Sequence, residues 1–457
     1  MLCLNLSVLL SFWPTRSVLD TQKEVFPGGV VVDTVHCLRS PKQSYALYLP
    51  LHYSNQKEWP VLFLYDPAAR GKLTVGRYAD LAEQFQLILI CSNNARNGPI
   101  APSLESAESV THDVLSRFSV DKERILISGF SGGSRLAMLV ASESGSYAGI
   151  IACGAGFFPN ARLPLSAPIP YIELVGNRDP NFDEALEVDR YLNDNHYPHR
   201  VHYFEGGHEW PSPDEYRQGL FWQWMHFRKK DRSGFPYEDY AASIIPTLKS
   251  QIDSGDFYLA FLNTQQGLSA LLPGRFSRIY SIKRFLEGNP LLRFQTDEFP
   301  KLRESELQFR EDWNRQFGKL TQMEADSSFN NSDWTPPIST IKRLKKSGSH
   351  QKKVLSDRLS GVMTLVCNEQ YNNQFKSKDY LHAVMSARVL SLVENSSRSY
   401  YLLARAWAAR GIKNKSLDAL AKAIELGLHE KKMVEEDPFL MPLQNEPRYN
   451  NLLRKLD

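Results

Sequence analysis

Ser131 stands in Gly129-Phe130-Ser131-Gly132-Gly133, a G-x-S-x-G sequence. It follows an apolar run at 124–128 and precedes a helix-forming stretch at 134–141. A bare G-x-S-x-G is common loop composition. The strand before it and the helix after it make this one a candidate nucleophile elbow, a tight turn whose small flanking residues avoid collisions. Such a turn lifts the serine hydroxyl above a sheet edge. It also aims a helix N-terminus at the negative charge that develops on an attacked carbonyl.

An unaided serine hydroxyl is a poor nucleophile, so it needs a base and a group that orients the base. The chain order expected is serine, then carboxylate, then histidine. Asp179 follows the apolar run 169–175, and Gly176-Asn177-Arg178 forms the turn that would carry its carboxylate over the strand end. Asp183 and Glu184 are rivals a few residues on, placed in the following helix. His208 lies in Glu205-Gly206-Gly207-His208-Glu209-Trp210, just after the strand-like run 200–204. Of eleven histidines it alone sits in a Gly-rich loop downstream of the acid. His196, His199 and His202 share a three-residue spacing that suggests metal ligands, but Pro198 and a strand onset break the helix that would align them. No metal site is expected. The oxyanion donors are assigned to the backbone N–H groups of Gly132 and Ala68, the latter because Pro67 has no N–H to give. The base must be neutral to take the Ser131 proton, so kcat/KM is expected to rise through one ionisation between about pH 6 and 7.5.

Apolar runs at 60–65, 87–91, 124–128, 148–153, 169–175 and 200–204 read as buried strands, with an edge strand at 44–50. Helical stretches at 78–85, 104–118, 133–142, 182–195 and 214–227 lie between them. Strand–helix alternation predicts a doubly wound, mostly parallel α/β sheet with helices on both faces. After about residue 230 the short apolar runs stop and helical periodicity takes over, which predicts an α/β domain over 21–232 and an all-α domain over 233–457. A chain ending near Arg232 is therefore expected to fold and to keep turnover. The polar stretch 327–340, with Pro336-Pro337, reads as a loop. The cations Lys342, Arg343, Lys345, Lys346, Lys352, Lys353 and Arg358 read as a solvated face.

The 457 residues suggest two or three domains at roughly 150 residues each. With 42% apolar and 23% charged residues, the composition is that of a globular protein rather than a disordered or fibrous one. A net charge of +3 is too near neutral to point to a nucleic-acid partner. Five cysteines without a CxxC indicate neither a zinc site nor a disulfide framework. Residues 2–13 form an apolar run too short to span a bilayer and of the length of a signal-peptide core, although no Lys or Arg precedes it. Residues 1–20 are thus expected to be a signal peptide or a hydrophobic first segment. A signal would favour a secreted or periplasmic location over the cytoplasm, and no stable membrane span is expected.

Residues of about 25 to 230 resemble an α/β-hydrolase of the esterase and polyhydroxybutyrate-depolymerase-like group, through 120–133, Gly176-Asn177-Arg178-Asp179 and Gly207-His208-Glu209-Trp210. The resemblance implies hydrolysis of a small-molecule or oligomeric ester, or less often a peptide, through an acyl-enzyme on Ser131, Asp179 and His208. It implies no metal and no organic cofactor. Many relatives carry His-Gly where this chain has Asp66-Pro67, which bears on the oxyanion loop. Within 376–457, residues 399–427 resemble a tetratricopeptide repeat: Tyr400, Leu403, Ala404 and Trp407, a turn at Gly411, then Leu420 and Ala423. Ser416 and Leu428 depart from it, standing where Ala and Pro are usual. One repeat cannot bury its own face, so flanking helices are expected. That resemblance implies a protein partner through the C-terminal helices. Three functions compete: a carboxylesterase, a peptidase on the same residues, and an interaction protein whose hydrolase half is a weak or inactive platform.

Overall fold

In the computed structural model of the protein, the described residues are 25–157, 168–227, 236–269, 277–325 and 329–456. The expectation for residues 1–20 falls outside them. The strands are β1 (Val31–His36), β2 (Ser44–Tyr48), β3 (Trp59–Tyr65), β4 (Ile88–Ser92), β5 (Val120–Phe130), β6 (Gly149–Cys153), β7 (Tyr171–Gly176) and β8 (His199–Phe204). They form one sheet in the order β1-β2-β4-β3-β5-β6-β7-β8. The β1–β2 and β2–β4 pairs are antiparallel and all later pairs are parallel. Every residue of β3, β4, β6 and β7 is buried, which is why their sequences read as apolar runs, interrupted by Glu173 in β7 and closed by Ser92 in β4.

The helices α1 (Gly71–Arg77), α2 (Ala79–Phe85), α3 (Ile100–Arg117), α4 (Gly132–Ser144), α5 (Phe182–Asp194) and α6 (Pro213–Phe227) cover the two faces. One face packs Leu62, Leu64 and Leu126 against Tyr78, Leu81, Tyr216 and Phe221. The other packs Val61, Phe63 and Ile127 against Val110, Val114, Ala137 and Leu192. This is the α/β-hydrolase arrangement expected from the sequence. Its register matters for the site. Tyr65 pairs with Gly129, Phe130 with Cys153, Cys153 with Leu174, and Gly176 with Phe204. The C-terminal ends of β3, β5, β6, β7 and β8 therefore meet at one edge, where ligands bind in open α/β sheets.

From residue 237 the described chain is helical: α7 (Tyr237–Ser254), α8 (Phe257–Ser269), α9 (Ser277–Glu287), α10 (Pro290–Gly318), α11 (Thr335–Lys345), α12 (His350–Lys376), α13 (Tyr380–Glu394), α14 (Ser397–Ala409), α15 (Lys413–Glu425), α16 (Lys431–Glu435) and α17 (Pro447–Leu453). None of the described helices is long and apolar enough to cross a membrane. The first of them belong physically to the sheet. Tyr240, Ile244 and Leu248 of α7 join the core on one sheet face. β8 is the last strand, and an open edge leaves backbone groups unpaired. Here α7 and α8 satisfy them: Gln266 Oε1 accepts from Val201 N at 2.8 Å, Asn263 Oδ1 accepts from Tyr203 N at 3.1 Å, and Gln251 Nε2 donates to the Tyr203 carbonyl at 2.9 Å.

Two sequence expectations are corrected in this half. Of the Pro-Pro stretch, 327–328 lie outside the described residues and 329–330 are irregular, but Asn331–Trp334 form a 3₁₀ turn and α11 begins at Thr335 with proline in its first turn, where a missing N–H costs nothing. Arg358 is not on a solvated face but is 6% exposed, paired with Glu306 of α10. At the C-terminus, α14 and α15 form a hairpin about Gly411, with Leu403, Ala404, Trp407, Leu420 and Ala423 buried. Ser416 fits because its hydroxyl donates to the Ala404 carbonyl at 2.8 Å. Ala383 and Ala387 of α13 and Tyr449 and Leu452 of α17 flank the hairpin in the same cluster.

Candidate active site

The turn between β5 and α4 is strained as an elbow would be. Ser131 has φ 54° and ψ −122°, a region that L side chains rarely occupy. The chain closes so tightly that a Cβ on Gly129 would lie 2.1 Å from the Gly133 carbonyl, and one on Gly133 would lie 2.0 Å from the Tyr65 carbonyl. Only glycine fits at either place. The Ser131 N–H donates to the Cys153 carbonyl at 2.9 Å, which ties the turn to β6.

His208 Nε2 lies 2.9 Å from Ser131 Oγ, and His208 Nδ1 lies 3.0 Å from both carboxylate oxygens of Asp179. The structure thus brings together the three side chains singled out in the sequence, from the turns after β5, β7 and β8. Asp179 is fully buried, and Asn181 N donates to its Oδ1 at 2.7 Å. Burial pushes its carboxyl above the usual range, against the opposing pull of the His208 hydrogen bond. The rival carboxylates are engaged elsewhere: Asp183 with Arg303 at 2.5 Å and Glu184 with Arg135 at 2.6 Å. Of the three evenly spaced histidines, His199 faces Asp189 and His202 faces Glu215, so these two do not converge.

The loop after β3 departs from expectation. The Ala68 N–H is not free for an oxyanion, because it donates to Asp66 Oδ1 at 2.8 Å. Asp66 also accepts from Arg70 Nη2 and from Trp210 Nε1, both at 2.8 Å. An aspartate following the strand is therefore a clamp: it holds its own loop closed and fixes Trp210, two residues past His208. That role was not read from the sequence, and the Asp-Pro pair was its only signal.

A network joins the acid and base loops. Glu205 accepts from Asn177 Nδ2, Arg178 Nη1 and Ser254 Oγ, each at 3.0 Å. Burial pushes its carboxyl up, but the neighbouring His350, Ser254 and Arg178 outweigh it and hold it below the usual range. His350 Nε2 lies 3.6 Å from Glu205 and 3.8 Å from Asp256, the one group of metal-ligand types gathered among the described residues. From α12, Arg358 Nη1 donates to the Asn177 carbonyl at 3.0 Å. From α10, Arg310 Nη2 donates to the Pro180 carbonyl at 2.7 Å. Glu306 lies between both arginines, 2.6 Å from each. The helical half therefore grips the turn that carries Asp179.

A cleft of about 530 Å³ opens over Ser131. One wall comes from the sheet edge, with Asn97, Arg96 and Asn181; the other comes from α12, with Leu365, Glu369, Asn372, Asn373 and Lys376. The last four polar residues recur at helical spacing, so they share one face of α12.

No protein-family profile and no curated protein matches this chain. Solved structures are similar over its N-terminal part. S-formylglutathione hydrolase FrmB of Staphylococcus aureus is 16% identical over 44% of this chain and 93% of its own, with a TM-score of 0.33. The fluorophosphonate-binding serine hydrolase FphF of the same organism is 17% identical over 43% and 99%, with a TM-score of 0.36. A puromycin-hydrolyzing peptidase of Mycobacterium tuberculosis is 13% identical over 43% of this chain and 38% of its own, with a TM-score of 0.33.

Proposed function

We propose that this chain is a serine hydrolase that cleaves a polar ester through an acyl-enzyme. The observation that carries the reading is the unbroken line from Asp179 through His208 to Ser131 Oγ at the floor of the cleft. Ser131 Oγ attacks the ester carbon as His208 Nε2 takes its proton. His208 then gives that proton to the departing alcohol oxygen. A water molecule repeats the sequence on the acyl-enzyme and releases the acid. Asp179 receives Nδ1–H, which fixes the tautomer that leaves Nε2 free to accept. The polar α12 wall supports a substrate rich in hydroxyl or amide groups, because a long alkyl chain would leave those side chains buried without partners.

The experiment is a chain-length series of p-nitrophenyl esters run beside short peptide substrates. Short or polar esters are expected to turn over fastest. A peptidase uses the same three side chains, so faster peptide than ester cleavage would replace the ester reading with that one. Absence of turnover on every substrate would favour the interaction-protein reading, in which the C-terminal helices bind a partner.

A further inference from the structure

We propose that the side-chain amide of Asn97 supplies the second oxyanion donor, in place of a backbone N–H from the loop after β3. The inference rests on the hydrolase reading above. Its first support is that the β3 loop has nothing left to give. Pro67 carries no N–H, Ala68 N and Arg70 N donate to Asp66 Oδ1 at 2.8 and 3.3 Å, and Ala69 N donates to the Asp66 carbonyl at 2.9 Å. With Asp66 also held by Trp210, freeing any of these would break the clamp beside His208.

The second support is where Asn97 stands. It lines the cleft with Ser131 and Gly132. A Cβ built on Gly132 would lie 1.9 Å from Asn97 Oδ1 and 3.2 Å from its Nδ2. The amide group thus rests against the residue whose own N–H is the first donor. Glycine is needed at 132 because any side chain would evict Asn97. The third support is that its backbone is fixed while its amide is free. Asn97 N donates to the Pro67 carbonyl at 2.8 Å, and Ser103 Oγ bridges the neighbouring Arg96 N and carbonyl at 3.2 and 3.0 Å. The Asn97 side chain makes no hydrogen bond with the described residues.

Chemically, when the Ser131 Oγ–carbon bond forms, the carbonyl π pair moves onto oxygen. That charge accepts hydrogen bonds from Gly132 N–H and Asn97 Nδ2–H, then returns to carbon as the leaving alcohol departs with the His208 proton. An oxyanion accepts only from the NH₂ end of the amide, and a half-turn about the terminal torsion, which is broad and two-fold, presents it. A side-chain amide in this role is worth about 10²–10³ in kcat.

The test is steady-state hydrolysis of p-nitrophenyl acetate by the full chain, with Ser131→Ala as the control. Asn97→Ala should lower kcat by about 10²–10³ and leave KM within about threefold. Asn97→Asp should be slower still, since a carboxylate would face the oxyanion. The melting temperature should move little in either, because the amide holds nothing together, so a loss of kcat cannot be ascribed to unfolding. An Asn97→Ala enzyme with kcat within threefold of wild type overturns the proposal while leaving the hydrolase reading intact. Wild type no faster than Ser131→Ala overturns both.

Discussion

Asp179 is shut off from water, and both its oxygens face the imidazole of His208. In the proposed hydrolase its work would be orientation, so Asp179→Asn should fold and yet lose about 10⁴ in kcat, as the imidazole takes the wrong tautomer. His208→Ala should lose at least ~10³. A second buried carboxyl lies nearby on β7. Glu173 accepts from Tyr171 Oη at 2.8 Å, and burial, reinforced by the Glu184 charge, pushes it from 4.5 to about 8. A carboxyl that holds its proton better when folded stabilises the fold fully below its unfolded value and loses that contribution as pH rises through the folded one. Wild-type melting temperature should therefore fall between about pH 5 and 9 relative to Glu173→Gln, whose amide cannot ionise. Parallel curves for the two proteins would remove Glu173 from the account. The three side chains that meet at the elbow were legible because each follows an apolar strand in a turn rich in small or polar residues. Asp66 and Asn97 were not, because nothing in a single aspartate or asparagine tells what it will face.

Elements explain why the turns stay in place. The Arg358–Glu306–Arg310 group, buried at Arg358 and Glu306 and half-buried at Arg310, holds the Asn177 and Pro180 carbonyls on either side of Asp179. Without Arg358 the buried Glu306 keeps only Arg310, so the loss should be real but below the about 3–5 kcal/mol of a fully stranded buried charge. Arg358→Ala should show that loss in denaturant melts and a lower kcat, whereas Lys345→Ala, on an exposed pair, should show neither. The caps on β8 argue against the expectation that a chain ending near Arg232 folds. Such a chain would bare the Tyr203 backbone and the apolar surface under Tyr240, Ile244 and Leu248. It should aggregate or melt far below the full chain, and an equally stable fragment would contradict this. The central strands were readable because parallel strands buried on both faces give continuous apolar runs. β1 was not, since VVDTVH is half exposed, and α1 was not, since seven residues carry too little periodicity. A buried arginine such as Arg358 looks, in sequence, like its solvated neighbours.

At the scale of the whole molecule, the cleft belongs to both halves. Residues more than 230 positions after Ser131 supply its second wall. Helical periodicity shows which face of α12 is polar but not that this face overlooks a serine, so the link between the halves could not be read from the sequence. The wall should act on binding more than on chemistry: Asn372→Ala with Asn373→Ala should raise KM for a polar ester by several-fold and change kcat little. A kcat loss at constant KM would place α12 in the chemistry instead. Hydrolysis by this chain requires Ser131 to be an activated nucleophile. Labelling of the full-length protein with a fluorophosphonate, followed by peptide mapping of the adduct, measures that directly. The adduct is expected on Ser131, absent in Ser131→Ala and formed far more slowly in His208→Ala. Folded wild type that takes no label, or a label that persists in Ser131→Ala, would contradict it.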